Sequence, residues 1–137
     1  MKTYRKMKTY KKKRTGFTII ELMIVIMIVA ILISLAYPSY VGYVRKAKRG
    51  EAQQLLLNWA INEEIWRSNN TAYTDTLVPT HDDYTFVASN VGAATYTLTA
   101  TAASGNGQEK DKARDGTSCS PIALTQAGTK TPPACWD

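Results

Sequence analysis

The chain has 137 residues and a mass of 15.2 kDa, enough for one small domain, and 45% of its residues are apolar. Its net charge of +6 is carried by a tag: eight of the 17 Lys and Arg residues lie in the first 16 positions, which hold no acid, and from Phe17 onward nine cations face all 11 acids, a net of −2. That distribution argues against a basic nucleic-acid-binding domain. The single His81 excludes a multi-histidine metal centre and leaves a Ser-His-Asp arrangement one possible base; two cysteines are too few for a four-ligand zinc site or a disulfide-dense miniprotein.

The first element is a basic leader, residues 1–16. It repeats itself, Met1-Lys-Thr-Tyr-Arg-Lys being followed by Met7-Lys-Thr-Tyr-Lys-Lys, so Met1 and Met7 are both possible starts. Phe17 to Ala36 then form a run of 20 residues, apolar apart from Glu21, Thr18 and Ser34. As a helix it is about 30 Å long, the thickness of a bilayer's hydrocarbon core. It is too long for a signal-peptide apolar region, and Tyr37-Pro38-Ser39-Tyr40 follows in place of a small-residue cleavage site. Eight cations precede the run and four (Arg45, Lys46, Lys48, Arg49) follow it closely, which predicts a cytoplasmic N-terminus and an exported remainder. Glu21 is the anomaly: a carboxylate facing lipid costs roughly 2.5–3.5 kcal/mol, so it either snorkels to the interface or has a partner.

The basic leader, Gly16-Phe17-Thr18-Ile19-Ile20-Glu21 and the apolar run that follows resemble the type IV pilin family. The resemblance implies that a prepilin peptidase cuts between Gly16 and Phe17 and methylates the new Phe17 amine, leaving 121 residues. It implies a single-pass inner-membrane precursor that joins an extracellular pilus, with other pilin subunits, the peptidase and an inner-membrane assembly platform as partners; direct nucleic-acid binding is not predicted by the resemblance or by the charge distribution. Glu21 is then an assembly residue, meeting the Phe17 amine of its own or a neighbouring chain. Within the family, Tyr37-Pro38-Ser39-Tyr40, Lys46-Ala-Lys-Arg-Gly-Glu-Ala52 and the stretch Ala123 to Trp136 look most like PilE-type minor pilins. One departure is Ala30, where family members often carry a mid-helix glycine that lets the helix melt.

Pro38 removes a backbone N–H and predicts a kink, not a stop, because helical periodicity resumes. Val41, Val44, Ala52, Leu55, Trp59 and Trp66 share one stripe, with Leu56 beside it, and Leu57, Ile61 and Ile65 lie on roughly the opposite side. One stripe is expected on the chain's own sheet and the other on neighbouring subunits. Arg45, Lys46, Lys48 and Arg49 read as a solvated or lipid-headgroup-contacting helix surface, with acids of adjacent subunits or DNA as alternatives.

Arg67 to Asp75 reads as a loop; its Asn69-Asn70-Thr71 fits a glycosylation sequon, discounted because a pilin-like context points to bacteria. Tyr84, Phe86 and Ala88 alternate with Thr85, Val87 and Ser89; Tyr96, Leu98, Ala100 and Ala102 alternate with threonines. These predict two strands joined through Asn90-Val-Gly-Ala93, and Ile122 and Leu124 suggest a third before Gly128. Gly105 to Gly116 is a polar surface loop. Asp111, Asp115 and Gly116 match part of a calcium-binding loop, but Ala113 and three interleaved cations favour a solvated turn, also over a site built with His81, Asp82 and Asp83. Cys119 and Cys135 enclose 15 residues, and outside the cytoplasm two thiols are expected to pair, as pilins commonly do near their C-terminus.

The predicted fold class is α+β: a long N-terminal helix, half membrane-spanning and half amphipathic, packed on a small antiparallel sheet. Residues 1–16 form the leader, 17–37 the transmembrane and filament-core helix, and 38–137 the exported head including the second half of the helix. The expected function is a structural subunit, minor in abundance, of a type IV pilus, with no cofactor, no metal and no catalytic residue. A type II secretion pseudopilin is the near alternative. A membrane-anchored enzyme lacks a nucleophile-base-orienter set, and a non-polymerising binding module would not need processing at Gly16 and Phe17.

Overall fold

A computed structural model describes residues 16–136 of the chain; the basic leader up to residue 15, with its two possible starts, lies outside the described residues. A single helix, α1 (Ile19–Asn69), continues through Pro38 without a break. Four strands follow: β1 (Tyr84–Ser89), β2 (Thr97–Ala102), β3 (Ile122–Thr125) and β4 (Lys130–Thr131). They form an antiparallel meander in the order β1-β2-β3-β4, with Phe86 opposite Ala100 and Leu98 opposite Leu124. The chain divides into two compact units between Tyr37 and Pro38.

In the first unit, the apolar side chains stand outward. None of residues 16–37 is buried, and the segment reaches a mean hydropathy of 3.0 over 18 residues. Length and composition suffice to cross a membrane.

In the second unit, the strands bury the faces that alternation predicts. Tyr84 and Phe86 of β1, Leu98 and Ala100 of β2, and Ile122 and Leu124 of β3 point inward, and Tyr96 joins them just before β2. Against this face α1 lays Ala52, Leu56 and Trp59, with Leu55 partly buried beside them. Fully burying each large side chain stabilises the fold by about 1.5–3 kcal/mol relative to exposure. Arg49, Ala52, Leu56, Trp59 and Glu63 are the buried residues of α1, spaced three and four apart, so two charged residues belong to the stripe that packs on the sheet.

The stripe is shorter than its sequence pattern. Val41 and Val44 are only half-buried and Trp66 is exposed. Residues 49 to 63 span about 21 Å of helix, close to the roughly 20 Å of a six-residue strand, so the sheet has nothing left with which to cover the helix ends. Leu57, Ile61 and Ile65 stay exposed on the other side, as their spacing predicts.

Strand β4, absent from the sequence reading, pairs Lys130 with Leu124 and Thr131 with Ala123. Gly128, at φ 76°, supplies the left-handed residue of the β3–β4 turn, where its N–H donates to the Thr125 carbonyl at 2.9 Å.

Candidate functional site

The start of α1 is built by local hydrogen bonds. Thr18 precedes the first helical residue, and its Oγ1 accepts the Glu21 N–H at 3.2 Å, while Glu21 Oε2 accepts the Thr18 N–H at 3.5 Å. This is a reciprocal capping box of the Thr-x-x-Glu type, which satisfies two backbone donors that a helix start leaves open. Glu21 is therefore engaged within its own turn, a role the sequence analysis missed although the four-residue pattern signals it. Phe17 lies just outside the helix and is 85% exposed, and among the described residues nothing packs on Gly16.

In the second unit, the cluster Arg45, Lys46, Lys48 and Arg49 is not one solvated surface. Arg49 Nη1 donates to Asp111 Oδ2 at 2.7 Å, with both side chains about 95% buried. Lys48 Nζ donates at 2.8 Å to Asp83 Oδ1, which also accepts from Asn106 Nδ2 at 2.7 Å. The expected solvated surface holds for Lys46 and fails for Arg49, because residue 49 falls on the sheet-facing stripe and the polar loop delivers a carboxylate to it. Gln108, buried in the same loop, donates from Nε2 to the Arg45 carbonyl at 3.0 Å and to the Tyr84 hydroxyl at 2.8 Å. Burial pushes the Tyr84 phenol up from its ordinary value.

Contacts of this kind occupy Asp111, Asp115, His81 and Asp83 among the residues weighed as calcium ligands. Asp111 is taken by Arg49; Asp115 Oδ1 accepts the Thr117 N–H at 2.9 Å, a hydrogen bond that lowers its carboxyl below the usual value. His81 accepts the Asp83 N–H on Nδ1 at 3.0 Å, leaving Nε2 to face Glu51 at 3.1 Å. Among the described residues no three His, Cys, Asp or Glu side chains are grouped to hold a metal ion.

A second buried acid anchors the connection from α1 to β1. Glu63 is fully buried; its Oε1 accepts the Trp59 indole N–H at 3.0 Å and its Oε2 the Thr74 N–H at 2.9 Å. Nearby, Tyr73 donates its hydroxyl to Glu64 and meets Tyr96 edge to face at 4.7 Å between ring centres. Burial, reinforced by Glu64, pushes the Tyr96 phenol up to about 12. The Trp59–Glu63 spacing of four residues was a readable signal for this contact.

Cys119 and Cys135 are joined in a disulfide, and both are fully buried. Gln53 of α1 donates from Nε2 to the Cys135 carbonyl at 2.6 Å, tying the disulfide-closed segment to the helix.

Two surface features remain. A cleft of about 370 Å³ lies between α1 and the loop after β2, lined by Tyr43, Lys46, Lys112 and Arg114 above the Arg49–Asp111 pair. A shallow groove of similar volume is lined by Leu57, Ala60 and Ile61 of α1 together with Tyr96 and Leu124 at the edge of the core.

Comparison with known proteins gives these features a context. Residues 38–123 match the family described as "Type IV minor pilin ComP, DNA uptake sequence receptor", and residues 11–37 match the prokaryotic N-terminal methylation motif. The chain is 42% identical over 64 residues to a fimbrial protein of Neisseria meningitidis, a stretch covering 42% of this chain and 38% of that protein's length. It is 41% identical over 64 residues to the type IV major pilin protein PilE of Neisseria gonorrhoeae, covering 42% of this chain and 38% of that one. A fimbrial protein of Moraxella nonliquefaciens is 35% identical over 80 residues, covering 58% of this chain and 52% of that protein. A type IV pilin structure from Shewanella oneidensis superposes with a TM-score of 0.53 at 22% identity, covering 68% of this chain and 98% of that one, which is a likeness of fold.

Proposed function

The chain belongs to the type IV pilin family, a structural and non-enzymatic one, and from that premise we propose that it is a minor pilus subunit acting in DNA uptake. The observation that carries this reading is the match of residues 38–123 to a family whose description names a DNA uptake sequence receptor. Its apolar N-terminal segment and methylation motif fit membrane anchoring followed by pilus assembly. In the proposed sequence of events the N-terminus is cytoplasmic, a prepilin peptidase cuts between Gly16 and Phe17, and the Phe17 amine is methylated. The apolar helix then enters the filament core with the help of the inner-membrane assembly platform, and Glu21 selects the register against a Phe17 amine.

The charge distribution of the head supports contact with DNA despite its small net charge. Of the nine Lys and Arg residues from Pro38 onward, only Lys48 and Arg49 have a carboxylate within 4.0 Å among the described residues. The other seven have no such carboxylate, though Arg67 donates to the Ala93 and Asn70 carbonyls, while Glu63 and Asp111 are buried and project no charge to the surface. Phosphate contacts supply affinity and register, and a preference for one sequence requires side chains that reach base edges.

The Neisseria relatives named as major pilins favour a second reading, a major subunit. Deleting the gene separates the two. A minor uptake subunit leaves fibres visible by electron microscopy and lowers uptake of labelled duplex DNA; a major subunit takes the fibres away.

A further inference from the structure

We propose that the cleft lined by Tyr43, Lys46, Lys112 and Arg114 binds the phosphate-bearing headgroup of an anionic phospholipid. Its charge is uncompensated: Arg49 is cancelled by Asp111 beneath it, while Lys46, Lys112 and Arg114 are exposed and have no carboxylate within 4.0 Å among the described residues. The three cations come from segments more than 60 residues apart. They are held together by the buried Arg49–Asp111 pair, the Cys119 N–H to Asp111 carbonyl bond at 3.0 Å and the Lys112–Ser118 bridge. Three cations lining one cleft on a braced frame suit a phosphate group better than a loose run of charges does.

Aromatic placement gives the level of the site. Tyr37, Tyr40 and Tyr43 recur every third residue directly after the apolar run and are 66%, 67% and 76% exposed. Exposed tyrosines in this position mark the boundary between membrane and water. Tyr43 is both the last of this series and part of the cleft wall. A volume of about 370 Å³ is at the lower end for small-molecule sites, which suits one headgroup. A duplex would instead need cations spread over a wider face.

Native mass spectrometry of the full chain in detergent micelles, titrated with phosphatidylglycerol or phosphatidylcholine, tests the assignment. The expected result is one retained phosphatidylglycerol with at least a tenfold preference over phosphatidylcholine. Lys112→Ala/Arg114→Ala should cut that retention at least fivefold, whereas Lys110→Ala/Lys130→Ala, an equal charge loss outside the cleft, should leave it unchanged. Lys46→Ala, a single exposed change on α1, repeats the test should the double variant lose its wild-type melting temperature. No headgroup preference, or equal losses from the two double variants, overturns the proposal. So does equal occupancy by inorganic phosphate, and displacement of the lipid by an equimolar short DNA duplex would make the cleft a nucleic-acid site instead.

Discussion

Removing the carboxylate of Asp111 isolates a guanidinium inside the head. At the observed 2.7 Å, and with an effective dielectric constant of about 20, the gross attraction between the two charges is about 6 kcal/mol. Desolvating both ions costs several kcal/mol each, so the intact pair adds little net stability, but a single substitution leaves Arg49 buried and uncompensated. Asp111→Ala should therefore destabilise the head by about 3–5 kcal/mol. For a domain of about 100 residues this lowers the melting temperature by roughly 12 °C or more. Arg49→Leu/Asp111→Ala should recover most of the loss relative to Asp111→Ala, because it removes both charges together. Guanidinium melts of the full chain in micelles under non-reducing conditions, run as a double-mutant cycle, measure the coupling. A cost below about 1 kcal/mol for Asp111→Ala, or a double variant as unstable as the sum of the singles, would refute the reasoning.

Glu21→Ala should insert, be cleaved and form the disulfide yet enter fibres poorly; Glu21→Gln, which keeps the capping box but not the charge, should be equally poor. Fibre entry of Glu21→Gln at wild-type level would reduce Glu21 to a helix cap. Cys119→Ser/Cys135→Ser should cost about 3 kcal/mol of head stability by freeing a 15-residue loop in the unfolded chain, read from denaturant midpoints; an unchanged midpoint contradicts it. Because the Tyr96 phenol is pushed up from 10.0 to about 12, the unfolded chain ionises first as pH rises, so stability from this group is complete below pH 10.0 and lost toward about 12. The slope is about 1.4 kcal/mol per pH unit at most, and Tyr96→Phe should flatten it in melts across that window; identical profiles would contradict the burial argument.

Elements with a strong hydrophobic period were legible in the sequence. The inward set of Tyr84, Phe86, Leu98 and Ala100 follows from alternation alone, and the exposed Leu57, Ile61 and Ile65 from helical spacing. What escaped was polar. Strand β4 has two exposed residues, Lys130 and Thr131, and no alternation to read. Arg49 and Glu63 sit on the buried stripe, but periodicity counts only apolar positions, and their partners Asp111 and Thr74 are supplied by loops. Net charge is blind to burial for a related reason. A sum of −2 weighs buried Glu63 and Asp111 equally with exposed Lys112 and Arg114, although only the latter present their charge to solvent. The cleft itself needs Lys46 beside Lys112, a neighbourhood that only the folded loop creates.

Mass spectrometry of sheared surface fibres tests the central claim most directly, by reading the N-terminus of this chain and its abundance against the other pilins. The account predicts a chain that begins at N-methylated Phe17, carries the Cys119–Cys135 link and is present at a small fraction of the dominant subunit. A chain in fibres that retains its leader, or one that is itself the dominant subunit, would contradict it.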